Sequence, residues 1–239
     1  MKNTVFHFQQ FSVRQRDSAM KIGTDGVLLG AWATLESNCG NVLDVGTGTG
    51  LIALMLAQRC PSIFLDAIEI DSHSASEAQY NFSKSAWANR MALHCDSFTN
   101  YCFNTSKRYD HIVCNPPFYS NGYPIVDKAR ARARDNKNLE YQTLFEGASK
   151  LLTSTGRFSL IVPISAEGSI AKHAHTHGFF LHRETKVRGN KKAPFKRLLL
   201  EYVLFSCDPL KTRLTLETER NCWTVEHQEL VSSFYLSKD

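Results

Sequence analysis

Val42-Leu43-Asp44-Val45-Gly46-Thr47-Gly48-Thr49-Gly50 runs directly into Leu51-Ile52-Ala53-Leu54-Met55-Leu56-Ala57. The order is a short apolar strand, a glycine-rich turn and an apolar helix. Glycines let the chain turn sharply and let its backbone approach a ligand closely. The start of the helix offers free N–H groups at the same place. The spacing is G-x-G-x-G, not the G-x-G-x-x-G of the dinucleotide fingerprint, and no G-x-x-x-x-G-K-[ST] phosphate loop occurs. Asp44, just before the glycines, would repel a pyrophosphate and suits a ligand carrying a positive amino group. The segment is expected to bind a nucleotide-like ligand.

Three further strand ends extend this pattern. Phe64-Leu65-Asp66-Ala67-Ile68-Glu69-Ile70-Asp71 ends in acid about 20 residues after the glycines, where a doubly wound fold places a carboxylate for ribose hydroxyls. Glu69 is expected in that role, and Asp71 as the cap of a helix from Ser72 to about Ala86. Met91-Ala92-Leu93-His94-Cys95 leads to Asp96-Ser97, which reads either as an acceptor for an adenine amine or as a helix cap. Tyr109-Asp110-His111-Ile112-Val113-Cys114 ends in Asn115-Pro116-Pro117-Phe118. Two prolines cannot donate to a sheet, so the strand stops there, and the first of them holds Asn115 extended. The Asn115 side-chain oxygen and the Pro116 carbonyl are then two fixed acceptors that match a planar –NH2 group. Phe118 either stacks on the ring bearing that amine or packs as an ordinary loop aromatic.

Taken in this order, residues 20–206 resemble the class I S-adenosylmethionine-dependent methyltransferases. The resemblance implies that Asp44, Gly46, Thr47, Gly48 and Gly50 hold the methionine part of S-adenosylmethionine. It implies that Glu69 and Ile70 meet the ribose, and Asp96 and Ser97 the adenine. N-P-P-[FY] marks amino-group methylation within that class, on adenine N6, guanine N2 or a glutamine amide. Asn115, Pro116, Pro117 and Phe118 would be the catalytic residues, with Asn115 also touching the cofactor. The stretch Lys21-Ile22-Gly23-Thr24-Asp25-Gly26-Val27-Leu28-Leu29-Gly30-Ala31-Trp32 looks like its counterpart in the tRNA1(Val) adenine-N6 methyltransferase family. Phe6-His7-Phe8-Gln9-Gln10-Phe11 and Phe234-Tyr235-Leu236 fit the same family. That likeness implies an enzyme acting on the adenosine beside the anticodon of a valine tRNA, and the scattered cysteines place it in a reducing cytoplasm. Lys21, Thr24 and Asp25 would then line the methionine end of the pocket. The alternative is that Thr24-Asp25-Gly26 is only a helix start, capped by Asp25.

Other classes with the same signature fit less well. Protein-glutamine methyltransferases resembling this class carry Tyr at the Phe118 position and an N-terminal helical domain, and only about 40 residues precede Asp44 here. Guanine-N2 enzymes on ribosomal RNA often duplicate the domain. A non-catalytic RNA-binding protein on this fold would not need Asp44, Glu69 and Asn115-Pro116-Pro117-Phe118 all intact.

Composition agrees with a soluble α/β enzyme. The chain has 239 residues, 43% hydrophobic and 21% charged, within the range of globular domains. Its seven cysteines include no C-x-x-C pair, which disfavours zinc and disulfides and suits a reducing compartment; no metal is expected. No apolar run approaches the roughly 18 residues of a membrane helix. Alternating strands and helices predict a doubly wound, Rossmann-like methyltransferase fold: a mostly parallel seven-stranded sheet with an antiparallel edge hairpin. A single domain over 1–239 is expected, with a hairpin-and-helix cover over 1–40, a catalytic core over 41–206 and a C-terminal tail over 207–239.

The net charge is +5 and unevenly spread. Arg130, Arg132 and Arg134, flanked by Lys128 and Lys137, follow Phe118. Arg183, Lys186, Arg188, Lys191, Lys192, Lys196 and Arg197 cluster at the last hairpin. Such runs are either solvated faces or phosphate-binding surfaces for RNA. Phe195 and Tyr123 lie among them as candidate stacking partners for loop bases.

Overall fold

The computed structural model describes residues 4–16, 18, 21–37, 39–117 and 140–236. The first pieces are β1 (Val5–His7) and β2 (Ser12–Arg14), an antiparallel ribbon, followed by α1 (Thr24–Trp32). The sheet then begins: β3 (Asn41–Val45), α2 (Leu51–Arg59), β4 (Phe64–Ile68), α3 (Ser72–Ser83), β5 (Met91–His94), α4 (Phe98–Asn104) and β6 (Tyr109–Cys114). It continues through α5 (Tyr141–Leu151), β7 (Leu152–Pro163), α6 (Glu167–Thr176), β8 (Phe180–Asn190) and β9 (Arg197–Val203). The last elements are β10 (Leu210–Glu219), β11 (Cys222–Trp223) and α7 (Val225–Val231).

The main sheet has the order β11-β10-β8-β9-β7-β6-β3-β4-β5. The five strands from β5 to β7 are parallel. Strand β9 runs antiparallel to both β7 and β8, and β10 is parallel to β8. The doubly wound α/β architecture is the expected one, but among the described residues the sheet has nine strands rather than seven. The β8–β9 hairpin is therefore not its edge, because β10 pairs along the outside of β8. Residues 210–219, expected within a tail, form that strand. Leu214 is buried and Leu216 packs on the core, while Lys211, Arg213 and Thr215 alternate with them on the other side. The charged face of this run is accommodated because β8 pairs along its length. The helix-cap reading at Asp96-Ser97 is met by α4, seven residues long, where the Ser97 side chain accepts from the Asn100 N–H at 3.1 Å.

The apolar strands are explained by burial on both faces. Val42, Leu65, Ala67, Val113 and Ile161 pack toward α1, α2 and α7. Leu43, Val45, Ile68, Ile112, Cys114, Leu160 and Val162 pack the other way, against α4, α5 and α6. Each strand sends alternate residues to opposite layers, which fixes the register. In that phase Asp44 falls on the α2 side among apolar neighbours, an unfavourable position for a carboxylate unless it has a task.

Candidate cofactor and amine site

Strand register brings the separated motifs into one row. Val45 pairs with Ile68 and with Cys114, and Ile68 pairs with His94. One residue further along each strand come Gly46, Glu69, Asn115 and Cys95, with Asp96 next. All lie at the carboxyl ends of parallel strands, where ligands bind in open α/β sheets.

The glycine turn is held from below. The N–H groups of Gly46 and Thr47 both donate to the Ile68 carbonyl, at 2.9 and 3.0 Å. Gly46, Gly48 and Gly50 have φ of 69°, 59° and 86°, in the left-handed region that side chains resist. A Cβ on Gly46 or Gly48 would meet nothing within 4 Å, whereas one on Gly50 would come within 2.5 Å of the Phe82 ring. The first two glycines thus leave room above the turn, and the third gives helix packing its space. Gly50→Ala is expected to destabilise the fold by about 3 kcal/mol, combining strain and overpacking, against about 1 kcal/mol for Gly48→Ala. Chemical denaturation of the two variants checks the difference.

Asp44 is fully buried. Its Oδ2 accepts from the Thr47 hydroxyl at 2.6 Å and from the Ala53 N–H at 3.1 Å. Its Oδ1 is buried with no hydrogen-bond partner among the described residues. Burial pushes its pKa up to about 7, against the opposing pull of the Thr47 and Ala53 bonds, with a further rise from the Glu69 charge. Thr47 thus faces the carboxylate rather than the space above the turn. Glu69 is also nearly buried: Oε2 accepts from the Gly48 N–H at 2.8 Å and Oε1 from the Asp71 N–H at 2.9 Å. Its pKa is raised by burial despite those bonds. Ile70, beside it, is about half exposed. Asp71 caps α3 as expected, accepting from the Ser74 N–H at 2.8 Å.

At the next strand end both readings of Asp96-Ser97 meet. Ser97 caps α4, and Asp96 Oδ1 accepts from the Ser97 N–H at 2.7 Å and from Asn100 Nδ2 at 3.1 Å. The carboxylate is nonetheless partly exposed, beside a cleft of about 540 Å³ that also reaches Asp66, His94 and Lys107. Asp66 on that wall is already neutralised: burial would raise its pKa, but Lys107 at 2.5 Å and the Tyr109 hydroxyl at 2.6 Å hold it low.

Asn115 directly follows β6 and precedes Pro116, buried, and Pro117, exposed. Its Oδ1 is buried and has no hydrogen-bond partner among the described residues. An unsatisfied buried amide oxygen is unfavourable by about 1–3 kcal/mol. Two such acceptors on one rim, Asp44 Oδ1 and Asn115 Oδ1, match a ligand with an ammonium group and a substrate with an amine. Phe118 lies outside the described residues, as do Tyr123, Lys128, Arg130, Arg132, Arg134 and Lys137.

The segment before the glycines packs against them. A Cβ on Gly26 of α1 would lie 3.1 Å from Leu51, the first residue of α2. Thr24, exposed, opens α1, but Asp25 does not cap it. The Asp25 carboxylate accepts from Arg197 Nε at 2.8 Å instead. Lys21 donates to the carbonyls of Gln15 and Arg16. The residues that fasten this cover were not legible as a motif. Glu77 on α3, buried, accepts from the N–H groups of Arg16 at 2.5 Å and Ser18 at 3.0 Å. One turn on, Asn81 donates to the carbonyls of Thr49 at 2.8 Å and Arg14 at 3.0 Å, and accepts from the Arg14 N–H at 2.8 Å. The available signal was a polar i,i+4 pair on a face that also carries Ser74, Ala75, Ala78 and Phe82. Asn81→Ala strips three bonds from buried backbone groups and is expected to lower stability by about 2–3 kcal/mol, read by thermal unfolding.

The basic cluster divides. Arg183 stacks 3.7 Å over the Trp32 ring, and Lys186 reaches Glu167 at 3.3 Å. Arg197 is held by Asp25, and Arg188 donates to Thr215 Oγ1 at 2.9 Å. Lys191, Lys192 and Lys196 are exposed, with no ion pair among the described residues. The turn carrying them is tight, since Asn190 Oδ1 accepts from the N–H groups of Lys192 and Ala193, both at 3.0 Å.

Comparison with known proteins bears on this geometry. The methyltransferase small domain family matches residues 18–168. A tRNA1(Val) (adenine(37)-N6)-methyltransferase of Christiangramia forsetii is 42% identical over 238 residues, covering 99% of each chain. The chain belongs to the tRNA1(Val) (adenine-N6)-methyltransferase family. Another member, from Bacteroides fragilis, is 40% identical over 237 residues, again covering 99% of each chain. Among solved structures, an Agrobacterium tumefaciens protein described as a predicted O-methyltransferase superposes with a TM-score of 0.67 at 16% identity, covering 88% of this chain and 96% of that one. A glycopeptide N-methyltransferase complexed with S-adenosyl-L-methionine gives 0.56 at 13% identity, covering 79% and 91%. These two share the fold. As in this methyltransferase family generally, the cofactor is S-adenosylmethionine, and the unpartnered Asp44 oxygen and the open space above Gly46 and Gly48 fit it. Among the described residues no helix is long and apolar enough to cross a membrane, and no group of His, Cys, Asp and Glu could hold a metal ion.

Proposed function

We propose that this protein methylates the exocyclic N6 amine of an adenosine in tRNA, the nucleotide beside the anticodon of a valine tRNA, in the cytoplasm. The observation that carries the reading is the buried, unpartnered Oδ1 of Asn115, one residue past the strand pair that joins β6 to the glycine turn. The names borne by the Christiangramia and Bacteroides relatives supply the substrate.

In this reading Asp44 Oδ1 accepts from the cofactor's ammonium group. Glu69, whose oxygens each have a further lone pair, accepts from ribose hydroxyls, and Ile70 lies against the nucleoside. Asp96, through the carboxylate lone pairs that Ser97 and Asn100 leave open, faces the adenine edge, with Ser97 beside it. Thr24 and Asp25 flank the methionine end through the contact of α1 with α2, with Lys21 tying down the chain before them. S-adenosylmethionine supplies an electrophilic methyl group on its sulfonium.

The chain's own task is to present nitrogen to it. Asn115 Oδ1 and the Pro116 carbonyl accept the two amine hydrogens, which turns the nitrogen lone pair out of the purine ring. The same acceptors stabilise the positive charge that develops on nitrogen. Pro116 keeps Asn115 extended and Pro117 does the same for Pro116, so no reorganisation is needed at transfer. Asn115 stays neutral and takes no proton; the proton leaves to water afterwards. The target base must be unstacked, which is easiest in an anticodon loop, and Phe118 would stack on it. Arg130, Arg132, Arg134, Arg188, Lys191, Lys192, Lys196 and Arg197 are the residues proposed to meet RNA phosphates, with Arg188 and Arg197 already tied to the protein on one side.

The test is transfer of labelled methyl from S-adenosylmethionine to total tRNA lacking the modification, followed by separation of nucleosides. Label in N6-methyladenosine of one valine tRNA is the expected result. Label in guanosine, or in ribosomal RNA or protein alone, would overturn the substrate assignment.

A further inference from the structure

The strand that sequence reading placed in a tail sits beside the RNA-facing rim. Leu214 turns inward, which sends Arg213 to the exposed side of β10. There the Arg213 guanidinium carbon lies 5.8 Å from the centroid of the Phe195 ring, and that of Arg188 lies 5.1 Å from the same ring. Arg188 is fixed further by the Thr215 hydroxyl at 2.9 Å and the Lys191 carbonyl at 3.0 Å. Two guanidiniums share one aromatic ring, and neither has a carboxylate partner among the described residues. Like charges gathered without a counter-charge are unfavourable unless an anion joins them. Guanidinium forks suit phosphate oxygens better than any other side chain.

Register places this cluster relative to Asn115. Arg213 pairs with Lys186, Lys186 with Leu198, and Leu198 with Val162. Cys114 pairs with Leu160, so Arg213 lies in the row that continues through residue 116. Four strand steps separate β10 from β6, about 19 Å at the usual spacing. A stacked strand covers that distance in roughly five nucleotides.

We propose that Arg213, Arg188 and Phe195 form a phosphate-binding clamp for RNA flanking the modified nucleotide, so that β10 extends the substrate surface beyond the catalytic core. The inference rests on the tRNA reading above, which already includes Arg188, and adds Arg213 and Phe195 to it. It predicts a length-dependent effect: the clamp touches RNA only when the substrate is long enough to reach it.

Direct binding tests it. With full-length valine tRNA, Arg213→Ala is expected to weaken affinity roughly tenfold at low salt and to reduce the slope of log K against log salt by about one. Arg213→Lys should retain the slope while losing part of the affinity. A five-nucleotide RNA centred on the target adenosine should bind wild type and R213A alike. Unaltered S-adenosylmethionine affinity and melting temperature show that the variant is folded. Equal weakening for both RNAs, or no change in tRNA affinity, overturns the clamp. Methyl transfer is read separately: if wild type binds tRNA through Arg213 but methylates nothing, the activity reading falls and the clamp stands. If it methylates tRNA and R213A binds normally, the reverse holds.

Discussion

Asn115→Ala is expected to lower kcat roughly 10²–10³-fold, the usual consequence of removing one preorganised polar group from a reacting centre. Affinity for S-adenosylmethionine should stay within about threefold, because the proposed role of the lost oxygen is at the transferring nitrogen. The argument starts from the native state: Asn115 Oδ1 is buried without a partner among the described residues, so the fold already bears the desolvation of that acceptor. A bound amine would recover it, most of all as the nitrogen becomes cationic. The alanine variant should consequently be no less stable than wild type. Single-turnover kinetics with saturating tRNA, alongside calorimetric titration of the cofactor, separates the two effects. Equal losses in rate and cofactor affinity would assign Asn115 to cofactor binding instead.

The second large effect concerns Asp44. Asp44→Asn removes the charge proposed to meet the cofactor's ammonium group and is expected to weaken S-adenosylmethionine roughly 10²-fold, as for other broken buried charge pairs. In wild type the affinity should rise as pH increases from 6 to 8, because burial raises the Asp44 pKa to about 7 and only the ionised carboxylate attracts the ammonium. In the asparagine variant that dependence should flatten. Stability moves the opposite way. Asp44 titrates near 3.8 when unfolded and near 7 when folded, so between those values the folded state holds more protons. The stabilisation that protonation provides is complete below the lower value and is lost as pH rises through about 7. At pH 8 the cofactor-free asparagine variant should therefore be more stable than wild type by about 2 kcal/mol, and at pH 4 by much less. A variant that binds poorly and is also less stable at pH 8 would sink the assignment. Function here is held at the expense of the apo fold, the usual pattern for a charged group kept in a core.

The strand–glycine–helix segment, the acids after the next two strands and Asn115-Pro116-Pro117 were readable because each is contiguous. Their local chemistry states a role before any partner is known. The nine-stranded sheet was less legible. Strand β10 has the period-two pattern of a strand, but its charged face resembles solvent-exposed coil until β8 is there to pair with it. The cap formed by Glu77 and Asn81 was invisible for a related reason: a polar pair on a helix announces neither a partner 60 residues earlier nor a backbone to hold. Arg197 and Asp25, read separately as RNA and cofactor residues, turn out to hold each other.

The sequence by itself determined the chemistry: a turn that only glycines can make, a carboxylate before it, and an amide fixed by two prolines. Those follow from dihedral limits and hydrogen-bonding capacity, which neighbouring residues set. Tertiary structure alone decided which acceptors lack partners and which cations are already paired. Register across β3, β4, β5 and β6 brings residues from 44 to 115 to one rim, and burial from both faces makes Asp44 basic enough to titrate near neutrality. Desolvation and pairing are properties of the space around a group, and that space is filled by chain distant in sequence.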